Sequence, residues 1–398
     1  MFLRLILLSA IAFVGPFCVA EDWYRWRGPR LDGVSSESNW QPSKIAAAST
    51  LAWKANVGIG FSSVVTSEGL LYTMGNGDDT DTIYALDTRT GKVAWTMQYE
   101  SPLDDREFEG GPTSTPTVDE GRLYALGRNG DLHCLDKKNG RQLWKHNVAD
   151  FAEIRIPGWG FSASPLVVGD RLIINAGDAG IAFDKVSGKL LWKSADKDCG
   201  YGSPVPTKDA AAIIIPSGRS YVAVNLEDGR ELWRQKWLTT FGCNAADPIL
   251  IGDRVFLCSG YNRGCGLLEI KSGTPRFIWK NKLMQNQIST SILIRDHLYG
   301  ISGDIDRGTS LMCIGVETGE LMWQDDELNP GAIAACGDRL LIMTTTGELV
   351  IAGTSPRKLD VIADRKVLKG KCWTTPVISN GMIYCRSADG ELVALDVN

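Results

Sequence analysis

Ten residues carry most of the chemistry this sequence has to offer. Arg106, Glu109, Arg155, Trp159, Phe161, Tyr201, Phe241, Asn244, Gln287 and Trp373 all fall in or beside segments that join one strand-rich stretch to the next. Aromatic rings, amides and a few charges in that proportion bind by stacking and hydrogen bonding, and the matching ligand is a peptide, a glycan or an extended protein segment. A packing role competes with this reading, with the aromatics plugging a channel and the charges solvated. Bond-breaking chemistry has less to draw on. His133, His146 and His297 are widely separated and make no metal-ligand spacing. No Gly-x-Ser-x-Gly elbow is present, and no glycine-rich loop leads from a strand into a helix. No catalytic residue and no metal ligand is expected.

The cysteines offer redox chemistry. Ten are present, nine once Cys18 is set aside with the amino-terminal leader, and the odd number leaves at least one thiol free or paired between chains. Cys134 and Cys313 stand six residues before Gly140 and Gly319, a position filled elsewhere by alanine, and read as small core residues. Cys258 with Cys265, flanking a turn, and Cys199 with Cys243, at equivalent places in consecutive units, are the two candidate bridges.

The elements that position these residues repeat. The glycine four places before a tryptophan recurs at Gly91/Trp95, Gly140/Trp144, Gly188/Trp192, Gly229/Trp233 and Gly319/Trp323, with a stretched copy at Gly273/Trp279. A period near forty residues marks a repeat architecture. Within a unit, four short apolar stretches are separated by Gly and Asn/Asp turn residues, the pattern of a four-stranded antiparallel meander. No helix is expected after the leader. One such sheet cannot bury both faces alone, and twisted copies stacked face to face close into a ring.

Units open near Ser63, Thr115, Ser164, Ser203, Asp247, Thr290, Ala334 and Thr375, so the fold class is all-β, an eight-bladed propeller. The seventh unit is degenerate, with no tryptophan after Gly353. The last unit stops at Asn398 where its final strand is due, and an orphan Leu51-Ala52-Trp53-Lys54 precedes the first, so the strand around Trp53 is expected to close the eighth blade. The tryptophans Trp53, Trp95, Trp144, Trp192, Trp233, Trp279 and Trp323 are then docking residues between blades. Asp87, Asp136, Asp184 and Asp396 read as turn-capping acceptors.

The outer limits are set by composition. At 398 residues with 44% hydrophobic and 22% charged, the chain can bury a large core, and its net charge of −5 gives no basic field for nucleic acid. Residues 1–20 have the charge, apolar run and small-residue end of an export signal cut before Glu21, too short for a membrane span. Phe17 before Cys18 argues against a lipid anchor. The expected division is a signal peptide at 1–20, an amino-terminal extension at 21–49 and the propeller at 50–398, in a soluble periplasmic or extracellular protein with no transmembrane segment.

The run Ala85, Asp87, Thr90, Gly91, Trp95 resembles the tryptophan-docking motif of pyrroloquinoline quinone (PQQ) alcohol dehydrogenases. That motif is shared by noncatalytic relatives such as the BamB family, and the likeness covers nearly the whole mature chain. The stretches Trp23-Tyr24-Arg25-Trp26-Arg27-Gly28-Pro29 and Pro157-Gly158-Trp159-Gly160-Phe161-Ser162 further resemble exported PQQ-like repeat proteins of planctomycete type. For the enzymes, the resemblance implies PQQ, calcium, an adjacent-cysteine disulfide and often a haem domain. This chain has no Cys-Cys dipeptide and no Cys-x-x-Cys-His site, so no PQQ or calcium ligand carries over. The resemblance therefore implies a noncatalytic, protein-binding or assembly scaffold of the cell envelope without cofactor. A PQQ-dependent alcohol dehydrogenase of the polyvinyl-alcohol type, and a glycan-binding or lyase-like module, are the alternatives.

Overall fold

The computed structural model describes residues 21–47, 50–106, 108–271 and 273–398. The expected export signal, residues 1–20 with Cys18, lies outside the described residues. Eight antiparallel sheets follow one another along the chain, each running from an inner first strand to an outer fourth strand. In blade 2 these are Thr117–Asp119, Arg122–Leu126, Asp131–Asp136 and Gln142–Asn147. Blade 8 takes its outer strand from the other end of the chain. Leu51–Asn56 pairs antiparallel with Glu391–Asp396, with Trp53 opposite Ala394, so the ring is closed as the sequence implies.

Blade-to-blade packing rests on the repeated tryptophan. Trp95 donates its indole N–H to the Lys137 carbonyl at 3.0 Å, and its ring lies against Gly140. A Cβ on that glycine would stand 2.5 Å from the ring, and φ is +72°, so both the contact and the turn demand glycine. Trp53 sits the same way on Gly91, Trp144 on Gly188, Trp192 on Gly229 and Trp279 on Gly319. Truncating one such ring to alanine would cost roughly 3–5 kcal/mol. Trp233 departs from the rule, because its partner turn is the stretched one and nothing stands within 4 Å of where a Gly273 Cβ would be. The turn aspartates cap as expected: Asp87 Oδ1 accepts from the Arg89 and Thr90 amides, and Asp184 Oδ1 from those of Val186 and Ser187.

The outer strand of blade 7, Asp360–Lys366, has no tryptophan. Ile45, on the short 3-10 turn Pro42–Ala46, is fully buried between blades 7 and 8 with Trp40 packed beside it, and fills that seam. Two outer strands run on past their tryptophans, Val93–Glu100 beyond Trp95 and Gln142–Asn147 beyond Trp144. A short helix, Val148–Ala152, follows the second against the expectation of none; the Asn147 side chain caps it by accepting from the Ala149 and Asp150 amides, and Val148, Ala149 and Ala152 bury its inner face.

Both candidate disulfides are absent among the described residues, whose nine cysteines are all buried and free. Cys258 and Cys265 do face each other across two strands, but the Cys258 thiol donates to the Met284 carbonyl and the Cys265 thiol to the Asn281 side chain. Cys199 and Cys243 are each held as thiols by burial, pushed up to about 12 and about 11.

Candidate functional site

A propeller channel has two mouths, and the chain's connectivity makes them unlike. Loops from each outer strand to the next inner strand gather at one mouth, together with the hairpins between second and third strands. They surround a funnel of about 640 Å3, inside the range of about 300–1,000 Å3 typical of small-molecule sites.

Along the inner segments of blades 3 and 5 the side chains alternate between funnel and blade interior. In blade 3 Ser164 and Ser162 line the funnel, while Ala163 and Phe161 are buried in the sheet. In blade 5 Asp247, Ala245 and Cys243 line it, while Ala246 and Asn244 are buried. Of the ten residues singled out from the sequence, this register brings Trp159, Tyr201, Phe241, Gln287 and Trp373 to the funnel wall. It does not bring the other five. Phe161 and Asn244 are one residue out of phase and so face the core, where the Asn244 amide donates to the Ser217 and Trp237 carbonyls. Arg155 lies apart, ion-paired with Asp196 at 3.1 Å beside a separate charged groove. Glu109 pairs with Lys371 at 2.7 Å, and Arg106 pairs with Asp104 at 2.7 Å on an exposed loop; neither lines the funnel.

The funnel also holds aromatics that the sequence reading missed, Phe61, Phe108, Tyr261 and Trp26. Phe61 sits two residues before Ser63, as Tyr201 and Trp373 sit two before Ser203 and Thr375, so the signal was the spacing. The rings make two arcs. Trp159 meets Tyr201 and Phe241 edge-on at 5.5 and 5.7 Å, and Phe241 meets Tyr261 at 5.9 Å. Phe61 stacks on Trp373 at 5.5 Å and tilts against Phe108 at 5.6 Å. Arg128 and Lys371 back the second arc, lying 4.8 Å over Phe108 and 4.2 Å over Trp373.

Below the rings runs a chain of hydroxyls. The Ser63 amide donates to Thr115 Oγ1, the Thr115 amide to Ser164 Oγ, the Ser164 amide to Ser203 Oγ, the Ser203 amide to Asp247 Oδ1 and the Asp247 amide to Thr290 Oγ1, all at 2.6–3.0 Å. The side chain that opens units 2 to 6 is thus an inter-blade clasp. Asp247 is the one carboxylate in it.

The other mouth is sealed by residues 21–37. Trp23 and Tyr24 offer carbonyls to the Thr66 and Val118 amides of blades 1 and 2, Leu31 packs between blades 3 and 4, Val34–Ser35 adds a parallel strand to blade 7, and the Glu37 carboxylate accepts from the Gly381 amide of blade 8. Trp26 forms the funnel floor, donating its indole N–H to Asp247 Oδ2 at 2.7 Å. Arg27 Nε lies 3.8 Å from the same oxygen, and its guanidinium donates to the Ser291 and Asp32 carbonyls. Burial raises the Asp247 carboxyl above its ordinary range and lowers Arg27, each opposed by the other's charge. The turn is tight: a Cβ on Gly33 would stand 2.5 Å from the Ile292 side chain, and its φ is +76°.

Calcium-assisted quinone chemistry does not fit these residues. No group of three or more His, Cys, Asp or Glu positioned to hold a metal occurs among the described residues. Both Asp247 oxygens are already engaged, and with Asp247 offset by Arg27 the lining still carries Asp304 and Asp306 against Arg307, an unfavourable field for a tricarboxylate. No helix among the described residues is long and apolar enough to cross a membrane.

The family model described as outer membrane protein assembly factor BamB matches residues 79–325 and 307–398. The chain is 21% identical to the BamB of Escherichia coli over 371 residues, 87% of this chain and 88% of that protein. It is 25% identical to that of Moranella endobia over 185 residues, which span 46% of this chain and 44% of that relative. Among solved structures, BamB from Moraxella catarrhalis superposes with a TM-score of 0.65 at 16% identity, covering 87% of this chain and 97% of that one. Quinohemoprotein alcohol dehydrogenase from Comamonas testosteroni gives a TM-score of 0.70 at 13% identity, covering 94% and 80%.

Proposed function

The chain belongs to the family of outer membrane protein assembly factor BamB, and on that premise we propose that it is an exported, noncatalytic propeller that binds a partner in the cell envelope as an assembly scaffold. The observation that carries the reading is the lining of the funnel. Its aromatic arcs and clasped hydroxyls are a recognition surface, and its one fully buried acid is consumed by Trp26 and Arg27. The mechanism is accordingly one of rigid presentation. Eight docked blades fix the ring positions before a ligand arrives, so little conformational entropy is lost on binding. Sealing of the far mouth means that a segment enters from one side and ends against Trp26.

The competing reading is a quinone-dependent dehydrogenase, which the likeness in fold leaves open. Reconstitution with PQQ and Ca2+ decides between them. The scaffold reading expects no quinone absorbance retained after gel filtration and no alcohol-dependent dye reduction, together with a discrete envelope partner recovered by crosslinking from Phe241 and Trp373 positions. Dye reduction above the protein-free control would overturn it.

A further inference from the structure

We propose that the funnel takes the end of a neutral oligosaccharide, an inference that rests on the binding reading above and names its ligand. The first support is the state of the hydroxyl protons. Thr115, Ser164 and Ser203 each use the hydroxyl oxygen to accept a backbone amide from the neighbouring blade, and among the described residues none of the three donates its proton to a protein acceptor. All three line the funnel on consecutive blades. Thr113, also on the wall and in the same phase as Thr115, has a buried Oγ1 with no hydrogen-bond partner among the described residues. These protons are free to donate to oxygen acceptors that a ligand brings into the funnel in place of water.

The aromatic arcs supply the second support. Phe241 is held at φ +60° with 72% of its side chain exposed, an arrangement that gives up both backbone comfort and burial to present a ring at the mouth. A pyranose has one face of C–H groups that leaves water gladly on an aromatic ring and an equatorial belt of hydroxyls that must keep hydrogen bonds. Rings above and proton donors below match those two surfaces in turn.

Charge supplies the third. With Asp247 offset by Arg27, Asp304 and Asp306 still outnumber Arg307 on the lining, which favours a neutral chain over phosphorylated, sulfated or uronic ones. Because Trp26 closes the floor, the site admits a chain end and not a continuous strand.

The test uses the protein as processed from the full chain, titrated by calorimetry and by tryptophan fluorescence with cellotetraose, maltotetraose and mannotetraose, and in parallel with tetragalacturonate and tetra-alanine. At least one neutral tetrasaccharide is expected to bind saturably, with no binding of the uronate. Phe241→Ala, which removes an exposed ring and leaves folding intact, should weaken that binding at least tenfold. Thr113→Val, of similar volume, should weaken it several-fold with an unchanged melting temperature. Absence of binding by all three neutral sugars at 10 mM overturns the inference, as does preferential binding of tetra-alanine or equal affinity in Phe241→Ala. In each of those cases a crosslinked envelope partner would leave the scaffold reading standing, whereas quinone-dependent dye reduction would remove the scaffold reading alone.

Discussion

The two ends of the channel are made from different stretches of chain under different rules. At the open mouth, inter-blade loops present rings to solvent, and the contacts there are edge-on aromatic pairs and exposed ion pairs such as Arg106 with Asp104. At the sealed end, residues 21–37 lay backbone against backbone on blades 1, 2 and 7 and bury Trp23, Arg27 and Glu37. Exposed pairs of the first kind contribute about 0–1 kcal/mol, whereas a buried charge left alone costs several. On the proposed reading, the difference teaches that stability and recognition are separated along the channel axis, the floor holding the blades and the mouth presenting rings.

The strongest way to break that comparison is to remove the seal. Deleting residues 21–37 takes away Trp23, which packs with Trp53, Val64 and Tyr384 between blades 8 and 1, along with the partner of Asp247. The loss should exceed the roughly 3–5 kcal/mol of a single buried tryptophan, read as the urea midpoint of the deletion against the processed chain. A midpoint unchanged within error would show the segment to be mere decoration.

A finer cut separates charge from packing at the same place. Asp247→Leu leaves Arg27 buried without its anion and should cost about 3–5 kcal/mol. Adding Arg27→Met should restore most of it, since an apolar pair of similar volume is often neutral or better than a buried ion pair. If the double variant is no more stable than Asp247→Leu, the cost lies in the lost Ser203 and Trp26 hydrogen bonds instead.

At the mouth the expected effects are small. Phe241→Ala should move the urea midpoint by less than about 0.5 kcal/mol equivalent, because an exposed surface ring away from caps and networks contributes little. A loss above about 2 kcal/mol would mean that the mouth, too, holds the ring together.

The same division governs what could be read from the sequence. The blades were legible because each repeats one physical problem, a tryptophan that needs a glycine turn next door, and the unmatched ends of the chain identified Trp53 as the closing strand. The funnel was half legible. Tyr201 and Trp373 sit in the phase that faces the channel, while Phe161 and Asn244 differ from it by a single residue and point inward, a distinction that composition does not carry. Trp26 and Asp247 were opaque for another reason: they are 221 positions apart, and nothing local to either announces the 2.7 Å hydrogen bond between them. The aspartate did leave one trace, standing where four other units have Ser or Thr before proline.

The smallest effect sharpens the comparison through pH. The carboxyl of Asp104, at the mouth, is held down to about 2 by its hydrogen bond to Arg106, with the Arg128 charge adding to it, while the Asp247 carboxyl at the sealed end is pushed up by burial. The signs are opposite. A depressed folded value makes the Asp104 contribution present above its unfolded value near 3.8 and lost as pH falls toward 2. A raised value means that any contribution from Asp247 is present below 3.8 and fades as pH rises through its folded value. Asp104→Asn should therefore lower the melting temperature slightly at pH 7, by the equivalent of less than about 1 kcal/mol because the pair is partly solvated. The gap should close as pH falls from 4 to 2, where the wild-type carboxyl is protonated as well. A gap that widens on acidification would place Asp104 in the buried class and erase the distinction between the two ends.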